Sequence, residues 1–375
     1  MPNDEVHMRR ALALAQATIG LASPNPQVGC VLTRNGANLG EGAHRYDEFD
    51  HAEIVALKAA QAAGFATAGG TAYVTLEPCS HHGRTGPCAD ALIAAGISRC
   101  VVATEDPNPL VSGRGVAKLR AAGIAVEVGV LKEEARRLND AFACSIASQR
   151  PFVTLKSALS VDGRIAPAPS TRTETAPVFL TGAAALAEVQ QLRHASDAIL
   201  TGIGTVLADD PLLTDRTGLP RRRPLARIVL DRDLRIPLSA KLVATARGDL
   251  WIFCAEAAPP ERQAQLESLG VRVTRLPVAA NGIDLHLAMR ELHDARILSV
   301  LIEAGGGLNG ALLHAGLVDR VILYYADVEL GPNGIPFARS GLTSFALQQQ
   351  LSGVETRQIG ADVRIAGYLQ DPWPK

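Results

Sequence analysis

The strongest constraint on the fold is an alternation of short, β-branched apolar runs with helical segments, sustained over most of the 375 residues. In the first half VGCVLT (28–33), TAYVTL (71–76), RCVVAT (99–104) and IAVEVGV (124–130) read as strands. Helical spacing covers residues 4–21, HAEIVALKAAQAAG (51–64), CADALIAAG (88–96), GVAKLRAAG (115–123) and LKEEARRLNDAFACSIAS (131–148), several of them closed by glycine. Strands separated by helices of this length predict an α/β layered sheet. A long helix ends at Gln149-Arg150-Pro151, and FVTLKSALS (152–160) opens a second alternating half with DAILTG, ARIVLD, LWIFCA, VRVTRL and ILSVLIEA as strands. VILYYADVEL (321–330) and DVRIAGYL (362–369) follow with no helical pattern between them, which predicts antiparallel strands at the sheet edge. Two domains are expected, 1–148 and 151–375, each large enough for its own core. APAPSTRTETAP (166–177) and the basic run Arg221–Arg223 read as loops.

Charge narrows the function. With 37 Lys+Arg against 38 Asp+Glu, the chain lacks the positive excess of a nucleic-acid coat or an anionic-membrane binder. No apolar run reaches the ~18 residues of a membrane span. Asp4 and Glu5, with Gln16 and Thr18 interrupting the apolar stretch, make the start an amphipathic helix rather than an export signal. The six cysteines then read as reduced thiols of a cytoplasmic protein, with Cys30 and Cys100 in the core and others on a metal.

The sharpest chemical pattern is His51-Ala52-Glu53 at a helix start, followed by Pro78-Cys79 and Pro87-Cys88. One His and two Cys are three zinc ligands with a fourth position open for water, the layout of a catalytic zinc site. Glu53 is placed to move that water's proton without binding the ion. The arrangement is similar to the zinc deaminase signature H-x-E with P-C-x-x-C, except that eight residues, Ser80 to Pro87, separate the two cysteines. The competing reading is a closed zinc knuckle that also uses His81 or His82, and it leaves Glu53 idle.

SPNPQVGCVL (23–32), GEGAH (40–44), HAE (51–53), TAYVTLEPCSHHGRTGPC (71–88) and DPNP (106–109) resemble the deaminase half of the bifunctional riboflavin-biosynthesis deaminase/reductase family. The long Cys–Cys spacing is a feature of that family. The resemblance implies a cytidine-deaminase-like three-layer domain. Its substrate would be 2,5-diamino-6-ribosylamino-4(3H)-pyrimidinone 5′-phosphate, losing an amino group as ammonia. Asn25, His44, His81 and Arg84 would touch that substrate. Read without the resemblance, Asn25 between two prolines is a turn former and the other three are solvated loop residues.

In the second half, ILSVLIEAGGGLNGALLHAGL (297–317) is a strand, then Glu303, then a glycine turn into a helix. Such a turn admits a phosphate to backbone N–H groups, although a plain strand–helix turn reads the same way. LKSALSVDGRIA (155–166) and LRHASDAILTGIGTVLADDPLLTDR (192–216) resemble the reductase half of the same family. That resemblance implies a dihydrofolate-reductase-like domain. It implies NADPH as hydride donor, reducing the ribosyl group of 5-amino-6-(5-phosphoribosylamino)uracil to ribityl. Lys156, Arg193, Leu213, Arg216 and Glu303 would contact substrate. Ala158, Phe179, Thr205, Asp209 and the turn Gly305, Gly306, Gly307, Leu308, Asn309 and Gly310 would contact NADPH. Arg193 and Arg216 suit a phosphate, with surface charge as their plain alternative. In STRTETAPVFLTG (170–182) Phe179 stands where the family has Trp, and the choice between Thr173 and Thr175 as a substrate hydroxyl stays open. The expected partners are small pyrimidine ribose phosphates and further copies of the chain, with no nucleic acid and no membrane. A nucleic-acid-editing zinc deaminase would need a basic channel and stacking aromatics, and aromatics are 4% of the chain. A non-catalytic zinc-stabilised module would give Glu53 no work.

Overall fold

The computed structural model describes residues 2–81, 86–168, 178–279 and 282–374. The chain divides into two compact units, one of Met1–Gln149 with Pro220–Arg222 and Pro372–Lys375, the other of Arg150–Leu219 and Arg223–Asp371.

The first unit runs α1 (Pro2–Gln16), β1 (Gly29–Arg34), β2 (Ala37–Ala43), α2 (Ala52–Ala62), β3 (Thr71–Val74), α3 (Cys88–Ala94), β4 (Arg99–Val102), α4 (Arg114–Ala121), β5 (Ala125–Val128), α5 (Lys132–Leu138) and α6 (Asp140–Ser148). Its sheet has the order β2-β1-β3-β4-β5, with β1 antiparallel to both neighbours and β3, β4 and β5 parallel. Alternate strand residues face opposite layers, as the two-residue strand period requires. Cys30, Leu32, Val74, Cys100 and Val102 pack with Ala52, Ala56 and Ala60 of α2 and with Leu92 of α3. Val31, Tyr73 and Val101 pack on the other face with Met8 and Ala11 of α1. The result is the three-layer arrangement expected from the sequence.

Strand β2 was not foreseen, because ANLGEGA has little β-forming character. Its glycines serve a close approach instead. A Cβ on Gly40 would fall 2.5 Å from the Ala56 carbonyl oxygen, and one on Gly42 2.2 Å from that of Ala52. Helix α2 therefore lies directly on the strand and its first residue is fixed in place. The helix expected over 131–148 is broken at Asn139, which is buried. Its side chain bonds both backbone groups of Gln27, Nδ2 donating to the carbonyl at 3.0 Å and Oδ1 accepting from N–H at 2.8 Å.

The second unit continues with β6 (Phe152–Ser160), β7 (Arg164–Ala166), α7 (Ala183–Ala195), β8 (Ala198–Gly202), α8 (Ile203–Asp209), β9 (Ala226–Leu230), α9 (Lys241–Ala244), β10 (Leu250–Ala255) and α10 (Pro260–Ser268). It completes with β11 (Arg272–Leu276), β12 (Val278–Ala279), β13 (Gly282–Ile283), α11 (Leu285–Asp294), β14 (Ser299–Ile302), α12 (Gly306–His314), β15 (Arg320–Ala326), β16 (Ile335–Pro336), α13 (Ser344–Gln348), β17 (Ser352–Ile359) and β18 (Asp362–Tyr368). Among the described residues the main sheet has nine strands in the order β11-β10-β9-β8-β14-β6-β15-β18-β17. The strands from β11 to β15 are parallel, and β18 and β17 add antiparallel, as the closing run of strands predicted. The short helix α13 and strand β17 lie between β15 and β18. They escape sequence patterning because β17 is largely exposed and carries few apolar residues. Val153, Leu155, Leu200, Ile228 and Phe253 face one core layer. Ile199, Val229, Ile252 and Cys254 face the other.

Candidate active sites

In the first unit His51 is the N-cap of α2, and Cys88 is the first residue of α3, preceded by Pro87 in an extended conformation. Cys79 follows β3 by a short loop. The His51, Cys79 and Cys88 ligand atoms lie within 4.8 Å of one another. His51 Nδ1 is 3.2 Å from Cys88 Sγ and 3.5 Å from Cys79 Sγ. Ligands on a tetrahedral zinc at ordinary bond lengths stand about 3.5–3.8 Å apart, so one imidazole and two thiols at these separations fit the ion. Cys79 is driven toward thiolate, to about 4, by the hydrogen bond from the Cys88 thiol and then by His51 and the Cys88 backbone N–H. Glu53, 3% exposed, is pushed up to about 7 by burial and then by the Cys79 charge.

Asn25 and His44 stand next to this group. The His44 ring is 5.4 Å from that of His51, edge to face. His44 Nδ1 lies 2.8 Å from the Asp50 carbonyl oxygen and must donate to it, so Nε2 accepts from Asn25 Nδ2 at 2.9 Å. Asn25, His44, His51 and the two cysteines thus come together as one site. His81 is exposed. Arg84 and the alternative ligand His82 lie outside the described residues. Sequence reasoning missed Glu77, which is buried just before Pro78-Cys79. Its carboxylate accepts from the N–H groups of Asp106, Gly113 and Val116 at 2.9–3.1 Å and ties the 106–113 loop to the zinc-ligand loop. A carboxylate beside the Pro-Cys pair was the available signal.

In the second unit Glu303 follows the C-terminal end of β14, where parallel α/β sheets place their ligands. Arg193, near the end of α7, donates to it through Nε at 2.7 Å and Nη2 at 2.9 Å, and through Nη1 to the Thr214 carbonyl at 2.9 Å. At 9% exposure Arg193 is not a solvated helix charge. This changes its expected part, because a phosphate would have to displace the Glu303 carboxylate. Burial raises the Glu303 pKa, but the Arg193 hydrogen bonds and the charges of Lys156, Arg193 and Arg216 outweigh it and hold the group below the usual carboxylate range. Lys156 on β6 is pushed down by burial, against the opposing charge of Glu303. Leu213 is buried beside Thr214, and Arg216 is exposed, its N–H bonded to Gln190 Oε1 at 3.0 Å.

Gly305 caps α12. The N–H groups of Gly306 and Gly307 begin that helix without intrahelical acceptors, which fits an anionic cofactor group. Gly306 itself answers to packing, since a Cβ there would fall 2.4 Å from the Pro336 carbonyl oxygen. Thr205 on α8 borders the turn, its Oγ1 3.9 Å from where a Gly305 Cβ would stand. Asn309 is fully buried and donates to the Phe337 carbonyl at 3.1 Å, and Gly310 faces Ser340, so both brace the turn from behind. Leu308 packs near Gly202 at the end of β8. Ala158 lies two residues beyond Lys156 on β6, and Asp209 ends α8. Phe179 is 64% exposed. Thr173 and Thr175 lie outside the described residues.

Comparison with known proteins finds a deaminase region in the first part of the chain and a reductase domain in the second. Residues 1–104 match the family "Cytidine and deoxycytidylate deaminase zinc-binding region", and residues 151–365 match "RibD C-terminal domain". The chain is 41% identical to the riboflavin biosynthesis protein RibD of Escherichia coli (strain K12) over 373 residues, covering 96% of this chain and 98% of that one. It is 39% identical to RibD of Actinobacillus pleuropneumoniae over 368 residues, covering 98% and 95%. Among solved structures, Acinetobacter baumannii RibD superposes with a TM-score of 0.82 at 36% identity, covering 98% of this chain and 99% of that one. A Thermotoga maritima diaminohydroxyphosphoribosylaminopyrimidine deaminase/5-amino-6-(5-phosphoribosylamino)uracil reductase gives 0.82 at 32% identity, covering 98% of both. With both family regions in one chain and full-length relatives on either side, the chain belongs to the RibD family of bifunctional deaminase/reductases of riboflavin biosynthesis.

Proposed function

We propose that the domain spanning 1–148 deaminates 2,5-diamino-6-ribosylamino-4(3H)-pyrimidinone 5′-phosphate and that the domain spanning 151–375 reduces the resulting 5-amino-6-(5-phosphoribosylamino)uracil to its ribityl form. The observation that carries the first half is the convergence of His51, Cys79 and Cys88 with a buried, non-ligating Glu53 beside them. His51, Cys79 and Cys88 would hold zinc, which when bound supplies an acidified water. Glu53 would take that water's proton and return it to the departing amine, and its burial beside the ligands keeps it in reach of that water without binding the ion. Asn25 and His44, joined to each other, orient the pyrimidine. His81 and Arg84 belong to the loop that contacts the rest of the substrate.

In the second domain Lys156, Leu213 and the Arg193–Glu303 pair form the substrate floor, and Arg216 is the cation for the 5′-phosphate. Thr205, Asp209, Ala158, Phe179 and the turn from Gly305 to Gly310 hold NADPH, which supplies hydride. The protein's task is to place C1′ of the ring-opened sugar against the donor; the reaction needs no covalent nucleophile. The chain works in the cytoplasm, where its six free cysteines suit a reducing compartment, and as a homo-oligomer, as the family resemblance implies. No described helix is long and apolar enough to cross a membrane. The test compares zinc-chelated and zinc-loaded protein on the diaminopyrimidine phosphate, with and without NADPH. Ammonia release should follow zinc alone, and NADPH oxidation should require the deaminated product. NADPH consumption without prior deamination would refute the order of steps.

A further inference from the structure

We infer that Arg222 is a positioning residue of the deaminase site, although it stands 74 residues beyond the end of α6 in the sequence. The segment Pro220–Arg222 belongs to the first unit, not to the one that surrounds it in sequence. Arg222 grips the loop that carries Asn25 at two points. Its backbone N–H donates to the Gly20 carbonyl at 2.9 Å, and its side-chain Nε donates to the Ser23 carbonyl at 2.9 Å. Its guanidinium carbon also stands 4.5 Å from the ring centroid of Tyr46, two residues beyond His44. Tyr46 N–H in turn donates to the Leu21 carbonyl at 3.1 Å. One side chain therefore touches the segment just before Asn25 and the segment just after His44, the two residues joined at 2.9 Å.

A planar guanidinium can donate in its plane and stack on a ring with its face at the same time; an ammonium cannot do both. The loop contains Pro24 and Pro26 and no regular secondary structure, so its placement relies on such tethers. Asn139 clamps Gln27 on the far side of Asn25, and Arg222 supplies the corresponding clamp on the near side. Residue 222 keeps its backbone bond to Gly20 whatever its side chain, so replacing the side chain loosens Asn25 and His44 without releasing the segment.

This inference rests on the reading of Asn25 and His44 as substrate contacts. Its test uses the full-length, zinc-loaded enzyme. Arg222→Ala should raise the deaminase KM about tenfold or more, the scale of a misplaced binding group, with kcat within about threefold, stoichiometric zinc and unchanged reductase constants. Arg222→Lys should recover only part of the loss, because it keeps the charge and loses the stacking plane. In an Asn25→Ala background, Arg222→Ala should cost clearly less than it does alone, because only His44 is left to loosen. Unchanged deaminase constants in Arg222→Ala would overturn the inference. So would lost zinc, an equal fall in both activities, or a full additional loss in the Asn25→Ala background, each of which marks general fold support. An Asn25→Ala enzyme with normal deaminase constants would refute the reading of Asn25, and is recognised from that variant alone.

Discussion

Glu53 lies on the first turn of α2, two residues past His51, buried and outside the ligand set. Glu53→Gln keeps its shape and removes its ability to carry a proton. Deamination should fall by at least the ~10²–10⁴-fold of a general acid–base residue, with zinc content by metal analysis and reductase rate unchanged. Cys79→Ser or Cys88→Ser should instead empty the site, and His82→Ala should not; zinc loss in the histidine variant would revive the closed knuckle. A second residue is purely structural. Asp4, on the first turn of α1, accepts from Tyr73 Oη at 2.9 Å and from Arg99 Nη1 and Nη2 at 2.7 and 3.1 Å. The Arg99 hydrogen bonds, reinforced by Tyr73, outweigh burial and bring its carboxyl down to about 2 from 3.8. A depressed carboxylate stabilises the fold above its unfolded-state pKa and loses that contribution as the pH falls toward the folded value. Asp4→Asn should therefore cost about 2 kcal/mol at pH 7 and progressively less between pH 4 and 2, read from chemical denaturation of the first unit at each pH.

At the scale of elements, α2 carries Glu53 and is capped by His51, and its seat on β2 sets where they stand. Gly42→Ala places a methyl group 2.2 Å from the Ala52 carbonyl oxygen, next to the helix start. Backbone must move, at about 1–3 kcal/mol; zinc affinity and deamination should both fall while NADPH-dependent reduction is preserved, measured on one preparation. The strands of both units were legible because strands buried on both faces are continuous apolar runs, whether parallel or, as for β1, antiparallel. VGCVLT, RCVVAT and FVTLKSALS appear within a residue or two of where the pattern puts them. The zinc site was legible for a related reason: its residue types and their place at a helix start and after a strand are local facts. Strand β2 and the break at Asn139 were not, since each depends on a partner elsewhere: α2 for the glycines of β2, and the Gln27 backbone for Asn139. Arg193 shows the same limit. Its burial has no local signal, because the partner, Glu303, is 110 residues away.

At the scale of the molecule, an expected division into 1–148 and 151–375 leaves out two segments that belong to the first unit, Pro220–Arg222 and Pro372–Lys375. Trp373 belongs to the core of the first unit, at 7% exposure, among residues that include Ala143 and Leu119. Its indole N–H donates to Asp140 Oδ1 at 3.0 Å, and the Arg136 guanidinium stands 4.9 Å from its ring. Nothing in DPWPK announces this, because an aromatic near a chain end has no periodic neighbours to show which core it fills. A fragment ending near Arg150 lacks this ring and Arg222, so it should be less stable than the same unit within the whole chain. Trp373→Ala tests the point without cutting the chain. The cavity and the lost hydrogen bond to Asp140 together should cost the first unit about 3 kcal/mol or more. In calorimetry of the full-length protein, the transition that zinc shifts upward should move to lower temperature. The transition that NADPH shifts upward should stay in place. If both moved together, Trp373 would be serving the whole molecule. If neither moved, the ring would be contributing nothing to the core it occupies.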